Sequence, residues 1–280
     1  MAVHNFEGVG GAKIAADIVG TGRPVVMLHG AGQTRGSWWR TAAMFADQGY
    51  RAITLDARGH GESAWSPEGY GMDVFVGDLR AVLDQVEGRP ALIGASLGGL
   101  TSMVAIGEAA HAIASALVLV DITPHIKREG GSAIQGFMGA NPEGFATVEE
   151  AADAVSRYLP HRPRPKSVEG LRRNLRERED GRLVWHWDPA FINPRPGHRP
   201  DIDAMQARLD DAARAIDVPT LMVRGSDSEI VSDEGVEQFR RLVPTAEIVE
   251  VSGARHMVAG DANTDFAGAT IEFLSRVYPA

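Results

Sequence analysis

The chain has 280 residues, 44% of them hydrophobic and 23% charged, with a formal net charge of -9 and no cysteine. That length holds one large domain, or a core carrying an inserted subdomain, and the composition is that of a globular protein rather than a disordered one. The acidic balance is wrong for a nucleic-acid binder, which needs a basic footprint. The lack of cysteine excludes a disulfide framework, a thiolate metal site and a Cys nucleophile together.

The first residues, Met1-Ala2-Val3-His4-Asn5-Phe6-Glu7, lack the basic start and apolar run of a signal peptide, and no later stretch approaches a membrane span. A cytoplasmic protein without a membrane partner is expected. Short aliphatic runs then recur, each ending in a polar or glycine-rich loop: Val25-Val26-Met27-Leu28, Ala52-Ile53-Thr54-Leu55, Ala91-Leu92-Ile93 and Leu117-Val118-Leu119-Val120. Leu221-Met222-Val223 and Ile248-Val249-Glu250-Val251 follow late in the chain. Nearly continuous apolar character marks parallel strands covered on both faces. Helix-like segments such as Val74 to Val86 and Leu97 to Ala110 separate them, so the pattern is that of an open α/β sheet with right-handed crossovers.

The alternation stops between Ile122 and about Ile216. Prolines cluster there (Pro160, Pro163, Pro165, Pro189, Pro194, Pro196 and Pro200) among aromatics and helix-like polar runs. Residues 123–215 are expected to form a cap over the strands' C-terminal ends, where open α/β sheets bind ligands, with 1–122 and 216–280 as the core.

Gly94-Ala95-Ser96-Leu97-Gly98 stands between a strand and a helix. A Gly-x-Ser-x-Gly turn there puts serine on a sharp bend with its hydroxyl above the sheet, while the Leu97 amide at the helix start faces a developing oxyanion. The alternative reading of Ser96 is a helix cap. A second oxyanion donor is expected from the loop after the first aliphatic run, His29-Gly30-Ala31-Gly32, at the Ala31 amide. His29 itself is read as ordering that loop. The base is assigned to His256, on a short loop after the last strand, from which an imidazole reaches over the sheet. His60, in Asp56-Ala57-Arg58-Gly59-His60-Gly61-Glu62-Ser63, is read as a brace at the sheet edge. His161, His186 and His198 fall in the insertion, and His4 and His111 look peripheral.

Together these motifs resemble the α/β-hydrolase superfamily over almost everything outside the insertion. The resemblance implies a mainly parallel eight-stranded sheet with flanking helices, an inserted helical cap and no cofactor. It also implies a serine–acid–histidine triad; haloalkane dehalogenases and epoxide hydrolases of this fold use an aspartate nucleophile, so Ser96 argues against both. In most relatives the acid follows the penultimate strand. Here that segment reads Arg224-Gly225-Ser226-Asp227-Ser228-Glu229-Ile230-Val231, and gapless alignment puts the acid's place on Ser228, with Asp227 one residue early. Other relatives take the acid from the end of the strand after the nucleophile helix, which is Asp121. Asp121 is the preferred acid and Asp227 the alternative.

Trp185, Trp187 and Phe191 would line an apolar pocket or glue the cap to the core, and Trp38, Trp39 and His125 are further pocket candidates. Arg172, Arg173, Arg176 and Arg178 read as one solvated helix face. The histidines show no metal-ligand spacing, so no metal is expected. The expected partner is a small molecule with a carbonyl, and no exposed heptad or docking segment marks a partner chain. The expected reaction is acyl transfer, with a carboxylesterase for small or medium apolar esters as the specific form. Lactonase, thioesterase, amidase and carbon–carbon bond hydrolase run on the same machinery. The rival from another class is a hydrolase-fold small-molecule receptor with slow turnover.

Overall fold

In the computed structural model, which describes residues 3–162, 164, 167–193, 201–261 and 263–280, the aliphatic runs become six neighbouring strands of one eight-stranded sheet, the last of them at its edge. Pro163, Pro165, Pro194, Pro196, Pro200 and His198 lie outside the described residues. In chain order the core begins with β1 (Val3–Glu7), β2 (Lys13–Val19), β3 (Pro24–Leu28), α1 (Trp39–Asp47), β4 (Arg51–Leu55), α2 (Met72–Leu83), β5 (Ala91–Ala95), α3 (Leu97–Gly107) and β6 (Ala116–Val120). The insertion carries α4 (Arg128–Gly139), α5 (Val148–Tyr158), β7 (Leu175–Glu177) and β8 (Leu183–Trp185). The chain closes with α6 (Ile202–Arg214), β9 (Thr220–Gly225), α7 (Asp233–Leu242), β10 (Glu247–Val251), α8 (Val258–Asp261) and α9 (Asn263–Val277).

The strand order is β1-β2-β4-β3-β5-β6-β9-β10. β2 pairs antiparallel with both β1 and β4, and every other pairing is parallel. Alternate residues of the parallel strands feed two separate cores, as a two-residue side-chain period requires. Val26, Leu28, Leu92, Leu117 and Leu119 pack under α2, α3 and α6. Val25, Met27, Ile93, Val118 and Val120 pack under α1 and α9. This double burial explains why those strands read as unbroken apolar runs.

The cap has a small core of its own, built from Met138, Phe145, Val148, Ala151, Leu183, Trp185 and Trp187. It is not purely helical. β7 and β8 form an antiparallel hairpin, and the arginine run divides among a 3-10 turn over Glu169–Asn174, β7 and, for Arg178, the hairpin turn after it, rather than making one helix. Strand geometry lets Arg176 leave its neighbours, donate to the Gly61 carbonyl and sit over the Trp65 ring. α6 falls inside 123–215 yet packs with the sheet: Leu209, Ala212 and Ala213 are buried in the main core, and a side chain at Gly107 of α3 would meet the Ala212 backbone. Among the described residues no helix is long and apolar enough to cross a membrane.

Candidate active site

Five loops at the C-terminal ends of β3, β5, β6, β9 and β10 converge, and each carries one part of the site. Ser96 follows β5 directly, at φ 46° and ψ -115°. A side chain rarely adopts that conformation, which costs about 1–3 kcal/mol and persists only where its surroundings enforce it. The flanking glycines show what enforces it. A Cβ at Gly94 would run into the Gly98 backbone, and one at Gly98 would sit 2.5 Å from the Leu28 carbonyl. Strand and helix therefore approach at backbone distance on both sides of the serine, and the Gly98 N–H ties the turn to the His29 carbonyl at 3.2 Å.

Asp121 closes β6, also at positive φ (48°), and is fully buried. Its Oδ1 accepts the Gly225 N–H at 3.0 Å. Its Oδ2 accepts the Ser228 hydroxyl at 2.6 Å and lies 2.8 Å from His256 Nδ1. Asp227 is exposed. Its carboxylate receives the Ser226 hydroxyl at 3.3 Å, and its N–H donates to the Ala254 carbonyl, so it serves as a turn residue. Of the two acids considered, Asp121 is the one brought to the His256 imidazole. Ser228, at the place where most relatives would carry the acid, binds Asp121 and also accepts the Ile230 and Val231 amides.

Glu229 was not singled out by its sequence context. It accepts the His256 N–H at 3.2 Å and pairs with Arg255 at 2.6 Å, fixing the start of the histidine loop. Burial opposes its ionisation, but the Arg255 and amide bonds outweigh this and hold its carboxyl below the usual range.

Behind the Gly30–Gly32 loop lie three buried histidines, His29, His60 and His186. His29 donates from Nδ1 to the Gly30 carbonyl at 2.7 Å and accepts the Ala57 N–H at Nε2. His60 donates to the Arg58 carbonyl and accepts the Gly32 N–H at 3.1 Å. His186, from the cap, accepts the Gly61 N–H at 2.8 Å and faces the Gly32 carbonyl with its other nitrogen. Each ring donates one hydrogen bond to a carbonyl and accepts one from an amide, so all three are neutral and their tautomers follow from their partners. Burial pushes all three below the ordinary histidine value, His186 to about 4, and the neighbouring rings lower His60 and His186 further. His29 and His60 thus brace loops, as expected, while the contribution of His186 spans 125 residues of sequence and left no local signal.

The brace leaves two amides over. Among the described residues the N–H groups of Gly30, Gly32 and Gly98 have internal acceptors, whereas those of Ala31 and Leu97 donate to none.

Ser96, Ala31 and His256 line one cleft of about 330 Å3. Trp38, Trp185 and Trp187 stand in its wall, together with Phe137 and Tyr158. Trp185 stacks on Trp187 at 5.0 Å and Phe137 on Tyr158 at 4.3 Å, so the cap tryptophans both line the cleft and hold the cap together. Two pocket candidates are placed elsewhere. Trp39 begins α1 and is 57% exposed, because the turn that buries Trp38 against Phe266 points the next side chain outward. The His125 ring turns towards α6, 2.9 Å from Asp210 and beside Gln206. Phe191 packs on His60, Tyr70 and Phe75, joining cap to core outside the cleft.

The chain is similar to known proteins over most of its length. An sn-1-specific diacylglycerol lipase of Mus musculus is 30% identical over 259 residues, covering 90% of this chain and 80% of its own. An esterase of Mycobacterium tuberculosis is 28% identical over 253 residues, covering 86% and 79%. The solved structure of E-2-(acetamidomethylene)succinate hydrolase superposes with a TM-score of 0.85 at 22% identity, covering 98% of this chain and 99% of that one, a likeness of fold. The family model of the alpha/beta hydrolase fold matches residues 23–262, and the chain belongs to that family.

Proposed function

We propose that the chain is a serine hydrolase that cleaves a small or medium apolar carboxylic ester through an acyl-enzyme. The observation that carries this reading is the 2.8 Å contact between His256 Nδ1 and the buried Asp121 carboxylate, in a cleft that also holds Ser96 on its strained turn. With Nδ1 committed to the acid, Nε2 is the nitrogen left to serve the serine.

In the proposed cycle His256 takes the Ser96 proton as Oγ adds to the ester carbonyl. The new oxyanion receives the Ala31 and Leu97 N–H groups, whose direction is set before substrate arrives. Asp121 stabilises the imidazolium without taking its proton. The imidazolium then protonates the departing oxygen, the carbon–oxygen bond breaks and the alcohol leaves. Water attacks the acyl-enzyme with His256 again as base, releasing the acid and restoring Ser96. The aromatic walls of the cleft favour an apolar acyl group.

The test is a p-nitrophenyl ester series of increasing acyl length, hydrolysed by the wild type and by Ser96→Ala. Turnover that vanishes in the variant, with a fluorophosphonate adduct on the wild-type Ser96 peptide, is the expected result. Equal turnover by both proteins would reject the nucleophile.

A further inference from the structure

Two clefts meet at His256. The first holds Ser96 and the aromatic walls. The second, of about 270 Å3, opens between α4, the end of α5 and the loops that follow β9 and β10. Ile134, Tyr158, Leu159, His256 and Met257 line both, whereas Ser96 and Ala31 line only the first. The two clefts thus share the base and part company at the nucleophile.

The chemistry of acyl transfer assigns them different occupants. The tetrahedral carbon carries the acyl substituent, the oxyanion, Ser96 Oγ and the leaving oxygen. The leaving oxygen must receive its proton from the imidazole, so whatever is attached to it extends on the histidine side. We infer that the second cleft is the leaving-group subsite, and that it takes an alcohol carrying a further hydrogen-bonding group. The inference rests on the acyl-transfer reading given above.

The linings support the division. The first cleft is walled by the large apolar side chains of Trp38, Phe137, Met138, Trp185 and Trp187, with Gln33, Thr34, Ser37 and Asn174 at other points of its lining. The second has none of those tryptophans; it has His161 and the Glu229–Arg255 pair, which the first lacks, beside the shared Tyr158, with Gly130 and Ala133 keeping the α4 side low. Burial and the nearby Glu229 charge raise the Tyr158 hydroxyl, so it remains a protonated donor. Ala133 and His161 are exposed, so the cleft opens outward and the released alcohol departs without crossing the acyl side.

The test uses two butyrate esters of nearly equal size, 2-hydroxyethyl butyrate and propyl butyrate, followed by pH-stat. The wild type should prefer the hydroxyethyl ester in kcat/KM by about fivefold, the worth of one net hydrogen bond. Ala133→Phe and His161→Trp, both at exposed positions, should bring the two esters within about twofold, since each ring fills the space beside the departing alcohol. Both should leave the acyl-length preference measured on methyl esters unchanged. If both variants shift the acyl-length preference instead, or leave both series as in the wild type, the assignment is overturned. The underlying reading fails separately: a wild type that cleaves no ester, or a Ser96→Ala variant that cleaves them equally well, removes it whatever Ala133→Phe does.

Discussion

Asp121→Asn is the change that weighs most on the proposed mechanism, and the structure sets its size. Asparagine is isosteric with aspartate and tolerates the positive φ of this position, so folding should survive. What disappears is the charge facing the imidazolium. With charge centres about 4 Å apart and an effective dielectric near 20, that interaction is worth about 4 kcal/mol, or about 10^3 in rate. An amide nitrogen facing Nδ1 would also favour the wrong tautomer, and the same change in a serine protease triad costs about 10^4 in kcat. A loss of 10^3–10^4-fold in kcat/KM on p-nitrophenyl butyrate is therefore expected, with the thermal midpoint monitored alongside. Asp227→Asn, at an exposed turn, should change kcat/KM by less than about threefold. Ser228→Ala should fall between, at about 10- to 100-fold, because it removes a hydroxyl from a charged acceptor. A folded Asp121→Asn within tenfold of wild type, or a larger loss in Asp227→Asn, would refute the assignment.

The strained nucleophile position makes a stability prediction of opposite sign to its activity effect. Ser96→Gly should abolish turnover yet raise stability by about 1 kcal/mol, since relieving 1–3 kcal/mol of backbone strain outweighs the added freedom of glycine in the unfolded chain; a lower urea midpoint would contradict it. The pH dependence of stability should follow His186. Its folded value, about 4, lies below the ordinary 6.5, so as pH falls the unfolded chain takes up the proton first. The His186 contribution should be level above about pH 6.5, fall by roughly 3 kcal/mol towards pH 4 and level off below. His29 and His60 shift in the same direction and add to the loss. His186→Gln should flatten the slope measured by urea titration across that window, and an unchanged slope would show that the ring is not held neutral. Trp38→Ala should destabilise by about 3–5 kcal/mol by emptying a buried site, whereas Trp39→Ala should stay within about 0.5 kcal/mol in chemical denaturation.

What could be read in the sequence follows from how local each constraint is. β3, β4, β5, β6 and β9 announce themselves because both faces are buried, whereas β10, at the other edge, shows in the sequence through its β-branched residues while only Val251 is buried. β1 and β2 do not: in β1 only Phe6 is buried, and the rest faces solvent at the sheet edge. The turn at Ser96 is legible because Gly94 and Gly98 are each forced by a backbone contact within a few residues or on a neighbouring strand. The acid is harder for a geometric reason. β6 and β9 are neighbours, so the ends carrying Asp121 and the Gly225–Glu229 loop lie side by side, and sequence spacing does not say which carboxylate turns inward. One position decides it: Ser228 faces in and Asp227 faces out. Trp38 and Trp39 illustrate the same point at the start of a helix.

The least legible part, the contact of His186 with the catalytic loops, constrains how the cap and the chemistry evolve together. The Gly32 backbone gives its N–H to His60, while its carbonyl faces His186. Its neighbour Ala31 is the proposed oxyanion donor. An oxyanion hole works by holding its donors in place before charge develops, so a shift of a few tenths of an ångström at Gly32 weakens stabilisation of the transition state more than binding of the substrate. The cap therefore sets more than the walls of the pocket. Trp185 and Trp187 flank His186 in sequence and stand in the cleft wall, so a change that re-shapes the acyl site also loads the residue that steadies the oxyanion loop. α4 reaches the same loop from the other side, since Met138 lies against Gly32 and Ala31 packs on the cap cluster beside Ile134.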